Sequence, residues 1–579
     1  MSRTGDLLDP PQSHNADRPA GRTVAATGPD GRQRERTPGL VGQIAVFVGP
    51  LLVYALLPTR NHNYADDSLS WAYQLTQSGD LINSHHLYLN PMRWLYHLLT
   101  GVGVTVDPFS LLALYSAVWG ALGLAILYRL LVRAGLAVPA LWGTLLCAVS
   151  AGYWSYSIAG DVYIPAAALM TTGVYCVYCG LTARDARAAR WYAVGATLAF
   201  AIMLTHHQAH VVFVLGMVPA VLLMRTATGH RRVLIGVAVP AAVCALAVAM
   251  YAVAYLAVPD EQQHGFIQFG AGYVESFEPR ADQKQLGVGT LVNVAAGETR
   301  ALVSTNVMFR SPELAQSIQD GYPQRATYPF PYLVRELPVP VAVLAGVAAL
   351  VGVLLAALLA LRGLWAGVKE RGLVLLVVVP MLPQMLFFAW WEGISDEFSL
   401  WTLPLLAILA ARGAAEMKHP LRWLRTTVTC VFVSTFVGSV LLYWDPGNDI
   451  DLVNDGYVAS LGRNDVLVGF EDIQSDFRIM LEADRQGFEY LNFFNVTEPQ
   501  DVRNFDTALD AAAGAGMTIR VSPRLTHPPK SALAFRQSVD PHFDGRRAAL
   551  LAKLAKMPDV DWIPPAVFSE RYFESPGDV

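Results

Sequence analysis

The chain has 579 residues, 53% of them hydrophobic and only 15% charged, a composition that excludes an ordinary soluble globular protein. Its formal net charge of −5 offers no basic excess, and no nucleic acid is expected as a partner. Apolar runs recur up to residue 444, several of them reaching the ~20 helical residues that cross a ~30 Å hydrocarbon core, so the chain reads as a polytopic α-helical membrane protein.

Residues 1–40 are rich in Pro, Gly and Arg without apolar periodicity and read as a disordered cytoplasmic tail. The first apolar run starts late and its exit lacks a small-residue cleavage site, which makes it an anchor rather than a signal peptide. About eleven spans are expected, over 41–57, 110–131, 138–157, 162–181, 191–206, 208–224, 233–258, 338–361, 372–391, 397–412 and 424–444. The stretch 191–224 would make ~51 Å of helix, too long for one crossing, so a hairpin is placed at Thr205–His210. The five cysteines (Cys147, Cys176, Cys179, Cys244 and Cys430) all fall inside these spans. Cys176 and Cys179 form a CxxC with nothing nearby to complete a zinc or redox site, and read as small buried side chains.

Basic residues then orient the set. Arg22, Arg32, Arg34 and Arg36 precede the first span. Arg129 and Arg133, then Arg184, Arg187 and Arg190, then Arg225, Arg231 and Arg232 follow the second, fourth and sixth. Arg362, Lys369 and Arg371, and finally Arg412, Lys418, Arg422 and Arg425, follow the eighth and tenth. All of these fall on one side, which the positive-inside rule makes cytoplasmic, in an inner (plasma) membrane protein whose C-terminal 445–579 lie outside. The exoplasmic side then receives Asp66, Asp67, Asp80, His85, His86, Arg93, Asp161, His206, His207, His210, Glu392, Asp396 and Glu397, with Arg300, Arg310 and Arg325 from the loop 259–337. Acids at helix ends are inexpensive, but four loops presenting acids and histidines to one face mark a candidate site.

In the loop 58–107, Asp66-Asp67-Ser68 opens a short helix with an apolar face (Leu69, Trp71, Ala72 and Leu75), expected to lie in the membrane interface with Gly79 as its C-cap. One Asp would serve as an N-cap; the second repels it and calls for another role. His206 and His210, four apart, would share a face on a continuous helix and could hold a metal; contact with phosphate or sugar, and polar packing in the hairpin, are the other readings. His85 and His86 read either as substrate ligands or as a solvated loop. Asp161 and Asp396 read either as site residues or as caps of the fourth and tenth spans. Trp390-Trp391 reads as an interfacial belt or a sugar-stacking platform.

Tyr64-Ala65-Asp66-Asp67, Ser78-Gly79-Asp80 and Asn90-Pro91-Met92-Arg93-Trp94-Leu95-Tyr96 together resemble the first periplasmic loop of GT-C fold glycosyltransferases, among them the protein O-mannosyltransferases and the lipid A aminoarabinose transferase. Gly160-Asp161-Val162-Tyr163 resembles the acid-Val-Tyr opening of a later helix in that family. Trp390-Trp391-Glu392 with Glu397-Phe398 and Leu403-Pro404 resembles its late helix pair. The resemblance covers roughly 41–412. The second acid is Asp67 where the family has Glu, and Pro91 stands alone where the family often has two prolines.

The resemblance implies transfer of a sugar from a polyprenyl-phosphate carrier to a hydroxyl of a lipid, glycan or protein acceptor at the exoplasmic membrane face. It assigns Asp66 as general base and Asp67 to orienting the acceptor or supporting a divalent cation. His85, His86, Arg93, Asp161, His206, His207, His210, Glu392 and Glu397 become substrate-binding candidates. The developing phosphate charge would need positive donors, for which Arg93, Arg300, Arg310 and Arg325 are available. The rival from another class is a transporter or flippase of a lipid-linked or polar solute. It would place ionisable groups and broken helices near the midplane and show internal symmetry, whereas these spans read as unbroken. A membrane metallohydrolase would rest on the three histidines alone.

Beyond residue 445, strands at 466–470, 488–494 and 518–521 alternate with helices near 474–486, 502–515 and 545–556. A small α/β domain with a parallel sheet is expected, in an accessory role over the active face.

Overall fold

The computed structural model describes residues 39–59, 66–77, 86–224, 229–258, 265–270, 287–311, 313–314, 334, 337–370, 372–393, 395–444, 456–471, 473–496, 499–528, 533, 536–537 and 540–563. Residues 1–38, and with them most of the expected tail, lie outside these, as do Gly79, Asp80, His85 and Arg325.

The chain is a polytopic helical membrane protein. Its helices are α1 (Leu40–Leu56), α2 (Asp66–Thr76), α3 (Leu89–Gly101), α4 (Pro108–Arg133), α5 (Ala137–Ala148), α6 (Ala151–Ala159), α7 (Tyr163–Thr182), α8 (Ala186–His206), α9 (Val211–Leu223), α10 (Gly229–Leu256), α11 (Val288–Leu302), α12 (Val339–Glu370), α13 (Leu373–Glu392), α14 (Thr402–Ala415) and α15 (Pro420–Trp444). Among the described residues seven are long and apolar enough to cross a membrane, the bent pair α5–α6 would make an eighth, and α1, α9 and α14 are shorter apolar helices; each expected span has its counterpart among these. α2, α3 and α11 lie in the loops between them.

Several spans differ from expectation: the eighth runs on to Glu370, the seventh and eleventh start four residues early, and three more differ for visible local reasons. The third is broken: α5 and α6 meet at 60° across Val149–Ser150, where Ser150 is extended at ψ 145° and turns its hydroxyl onto the Cys147 carbonyl 2.7 Å away. A serine that bonds back to the preceding turn competes with the helical ladder, and the apolar run on either side conceals this in sequence. The fifth starts earlier, at Ala186, because Asp185 accepts the Ala188 amide at 2.7 Å and caps it. The tenth starts later, at Thr402, after a 3-10 turn over Glu397–Ser399.

One end of the bundle gathers the basic loops. Arg231 donates to the carbonyls of Ala183 and Arg184, and Arg412 pairs with both Glu370 and Glu416. At the same end α12 and α14 touch backbone to backbone, since a Cβ built on Gly363 would overlap the Leu409 carbonyl oxygen and one on Gly413 that of Leu359.

The C-terminal part carries the expected parallel sheet. β1 (Asp465–Gly469), β2 (Glu489–Asn492), β3 (Thr518–Val521) and β4 (Val560–Trp562), the last unanticipated, lie in the order β2-β1-β3-β4 with every neighbouring pair parallel. Alternate residues of β1 feed opposite faces: Val468 joins Phe470, Ile519, Val521 and Phe543, whereas Leu467 joins Tyr457, Ile479 and Phe488. Helices α16 (Ile473–Gln486), α17 (Pro499–Gly514) and α18 (Phe543–Leu554) connect the strands. At the carboxyl ends of β1 and β3, Glu471 is fully buried and accepts from Arg524 at 2.8 Å and from the Ser522 hydroxyl at 2.9 Å.

Candidate functional site

Away from the basic loops, three chain segments bring polar side chains together. The first is the turn from α8 to α9. His206 ends α8, His207 leaves the helix at φ −151° and ψ 110°, and Gln208–His210 form a 3-10 turn, so the expected hairpin is present. Because the helix breaks at His207, His206 and His210 do not share a face. His206 lies against Tyr88 and Tyr115, with ring centroids at 4.4 and 6.2 Å, and His210 against Phe388 and Trp401, at 6.0 and 6.4 Å. Among the described residues, no three His, Cys, Asp or Glu side chains are grouped to hold a metal ion.

His206 has a defined proton arrangement. Its Nδ1 lies 3.0 Å from the Ile202 carbonyl oxygen, which can only accept, so Nδ1 carries the hydrogen. Its Nε2, 2.8 Å from the Tyr115 hydroxyl, then accepts from that phenol in the neutral ring. His86 is buried rather than on a solvated loop: its Nδ1 donates to the His206 carbonyl at 2.5 Å, and Trp71 meets its ring edge-on at 5.2 Å.

The second segment is the α6–α7 turn. Gly160 takes φ +81°, and a Cβ there would also come within 2.9 Å of the Ala113 nitrogen, so glycine alone fits this corner. The next residue, Asp161, is 3% exposed; its Oδ1 accepts the Val162 amide at 2.6 Å, and its carbonyl accepts from the Ser116 hydroxyl at 2.9 Å. Asp161 does not cap α7, whose N-cap position is Val162; its buried carboxylate bonds the adjacent amide and acts on Tyr88.

The third segment is the first loop. α2 is packed between protein elements: Trp71, Ala72 and Leu75 are buried in the core of the bundle, α2 contacts α3 and α4, and it meets α16 through Tyr73–Phe477 (6.1 Å) and a 3.0 Å hydrogen bond from Gln77 to Asp484. Asp66 and Asp67 form the first turn of this anchored helix, where the amide dipoles favour carboxylates; Asp67 is exposed, and the Asp66 side chain lies outside the described residues. Tyr88, just before α3, joins the three segments. Burial pushes its phenol well above the ordinary range, and the nearby Asp161, Tyr115 and Asp67 raise it further. It therefore stays protonated, and its buried hydroxyl has no hydrogen-bond partner among the described residues.

Beyond a wall of Phe388, Phe398 and Trp401 lies a fourth group. Asp396 does not cap α14; its carboxylate pairs with Arg300 at 3.2 Å. Arg310 donates to the Leu337 carbonyl at 3.0 Å. Arg93 is half-buried on α3, Glu397 is half-buried in the 3-10 turn, and the Glu392 side chain lies outside the described residues. Trp390 and Trp391 adjoin each other at 6.2 Å, and Trp391 stacks on Phe387. Glu298 of α11 accepts from the Thr402 hydroxyl at 2.5 Å and from the Ser399 hydroxyl, and burial is what drives its carboxyl up to about 7.

Reading the sequence passed over Tyr88, Tyr115 and Glu298. The tyrosines look like aromatic filler in apolar surroundings. Glu298 lies in Val288–Leu302, whose apolar residues at helical spacing were signal enough for a helix inside the long loop.

No family model and no curated protein matches the chain. Among solved structures, the chain is similar to ArnT from Cupriavidus metallidurans in the apo state, at 13% identity and a TM-score of 0.49, covering 78% of this chain and 90% of that one. The same protein bound to undecaprenyl phosphate gives 12% identity and 0.48, covering 82% and 89%. The archaeal oligosaccharyltransferase AglB from Archaeoglobus fulgidus gives 14% and 0.41, covering 72% of this chain and 57% of that one. Both are GT-C fold membrane glycosyltransferases, the class that the sequence motifs resemble.

Proposed function

We propose that this protein is a membrane glycosyltransferase that moves a sugar from a polyprenyl-phosphate carrier to an acceptor hydroxyl at the exoplasmic face. The observation that carries the reading is the meeting of Asp67, Asp161 and the His206 group around Tyr88, at the end of the bundle away from the basic loops. The acceptor oxygen attacks the anomeric carbon as the bond from that carbon to the phosphate oxygen breaks, and the electron pair leaves with the phosphate. Asp66 takes the acceptor proton as general base, and Asp67 orients the acceptor or supports a divalent cation. Arg93, Arg300, Arg310 and Arg325 are the candidates to meet the leaving phosphate. His86, Asp161, His206, His207 and His210 contribute to substrate binding, with His85, Glu392 and Glu397 as further candidates. The sheet-bearing C-terminal part covers this face in an accessory role.

The test is transfer of labelled sugar from a panel of polyprenyl-phosphate donors in membranes, comparing wild type with Asp66→Asn and Asp67→Asn at matched expression. Loss of the base is expected to lower turnover by ~10²–10⁴-fold. Full activity in both variants would reduce the pair to a helix cap.

The break in the third span favours a second reading, transport of a lipid-linked or polar solute, because transporters interrupt helices within the membrane. Substrate accumulation without turnover would select it.

A further inference from the structure

The loop helix α3 turns an apolar stripe away from the protein. Leu89, Asn90 and Met92 are buried, whereas Pro91, Trp94, Leu95, Leu98 and Val102 are exposed, with Trp94 at 68%, Leu98 at 64% and Val102, just past the helix end, at 68%. The exposed positions follow the i, i+3, i+4, i+7 spacing of a single helix side. An amphipathic helix of a water-soluble fold buries such a side. Here it is the outer one, and a contiguous exposed apolar surface marks a contact.

Charge and chain order indicate what meets the stripe. Between Arg93 and Asp107 the chain has no Asp, Glu, Lys or Arg, although Trp94, Leu95, Leu98, Val102 and Val104 are all exposed. A helix side facing water would carry charge there. The same stretch leads straight into a span. Asp107 accepts the Ser110 amide at 2.8 Å and caps α4, and on α4 the exposed apolar surface resumes at Leu114 and Val118. Arg129 and Arg133 stand at the other end of α4, among the basic loops, so α3 belongs to the opposite membrane surface.

We propose that α3 is an in-plane helix docked on the leaflet away from the basic loops, with its Trp94, Leu95, Leu98 and Val102 side sunk among the acyl chains at the headgroup boundary. The indole of Trp94 suits that depth, and the stripe continues the lipid-facing surface of α4. The docked helix is bonded to the carboxylate helix: His97 Nε2 donates to the Gln77 carbonyl at 3.2 Å, directly after α2, which opens with Asp66 and Asp67. Leaflet docking therefore holds α2 at the membrane surface, whichever reaction it serves.

The test uses full-length protein in phosphatidylcholine nanodiscs, with chains either plain or dibrominated near the headgroup, and iodide as the aqueous quencher. Wild-type minus Trp94→Phe emission isolates Trp94 from the other tryptophans, and the substitution keeps the stripe apolar. The Trp94 component is expected to be blue-shifted, quenched by the brominated chains and spared by iodide. Thr100 is also exposed but lies on the far side of α3, so Trp94→Phe combined with Thr100→Trp should reverse both responses. The wild-type reading decides even where the double variant fails to insert. Quenching of Trp94 by iodide and not by lipid overturns the docking, as does equal lipid quenching at positions 94 and 100. Shielding of Trp94 from both quenchers assigns the stripe to a second copy of this chain and likewise overturns it.

Discussion

Glu298 makes a prediction about stability that needs no substrate. Its carboxyl lies at about 7 in the folded chain against an ordinary value of 4.5, and α11 belongs to a loop rather than a span. The folded value is the higher one, so the unfolded chain releases this proton first. The contribution to stability is complete below about pH 4.5, declines as pH rises, and is lost once pH passes about 7. At ~1.36 kcal/mol per pH unit the gap corresponds to at most ~3 kcal/mol, and the part-exposed side chain reduces this to ~1–2 kcal/mol. Glu298→Gln has no proton to lose. It should match wild type near pH 5 and exceed it by ~1–2 kcal/mol near pH 8, read as thermal midpoints of the nanodisc-embedded protein. Every other titrating group is common to both chains and cancels in the difference. A wild-type minus variant difference that is the same at both pH values would refute a protonated Glu298.

Tyr115→Phe removes the donor to His206 Nε2 and leaves a buried ring nitrogen unsatisfied; it should destabilise the protein by ~1–3 kcal/mol in thermal unfolding, and an unchanged midpoint would show that His206 is held otherwise. Gly413→Ala forces α14 away from the Leu359 carbonyl and should cost ~1–3 kcal/mol or more, detected as a lowered midpoint or aggregation on size-exclusion chromatography, while Gly103→Ala, where a Cβ meets nothing within 4 Å but φ is +83°, should cost only the ~1 kcal/mol of backbone strain.

Apolar run length and the recurrence of arginine every second loop made the eleven apolar segments and their common polarity readable from sequence, because both signals are local and repeated. The α8–α9 hairpin followed from arithmetic, since a run of that length cannot cross once. The break at Ser150 was hidden because its cause is one hydroxyl returning to Cys147, inside a run that remains apolar on both sides. Asp396 illustrates a different limit. An acid before a helix looks like a cap, but Arg300, from a distant loop, reaches its carboxylate first. Tyr88 could not be singled out because its significance lies in what surrounds it: three segments far apart in sequence give an ordinary aromatic residue a buried hydroxyl beside two carboxylates. Alternation of strand and helix revealed the C-terminal sheet, whereas β4, three residues long, is too short to show a period of two.

The C-terminal sheet bears on the Asp66–Asp67 pair through one helix. Asp476, in the first turn of α16, accepts from the side chains of Asn492 at 2.8 Å and Asn495 at 2.9 Å, so the start of α16 is tied to the end of β2. The exposed side of α16 then meets α2 through Phe477 and Asp484. The ring pair and the single hydrogen bond together amount to ~1–3 kcal/mol. Towards the bundle α2 buries Trp71 and Leu75, each worth ~1.5–3 kcal/mol. The bundle holds α2 on one side and α16 on the other. The ring pair and the hydrogen bond add a few RT to that hold, enough to bias the tilt and exposure of the first turn of α2. A domain attached to the carboxylate helix suits control of access to that helix, and its removal should alter which acceptors are used before it abolishes turnover.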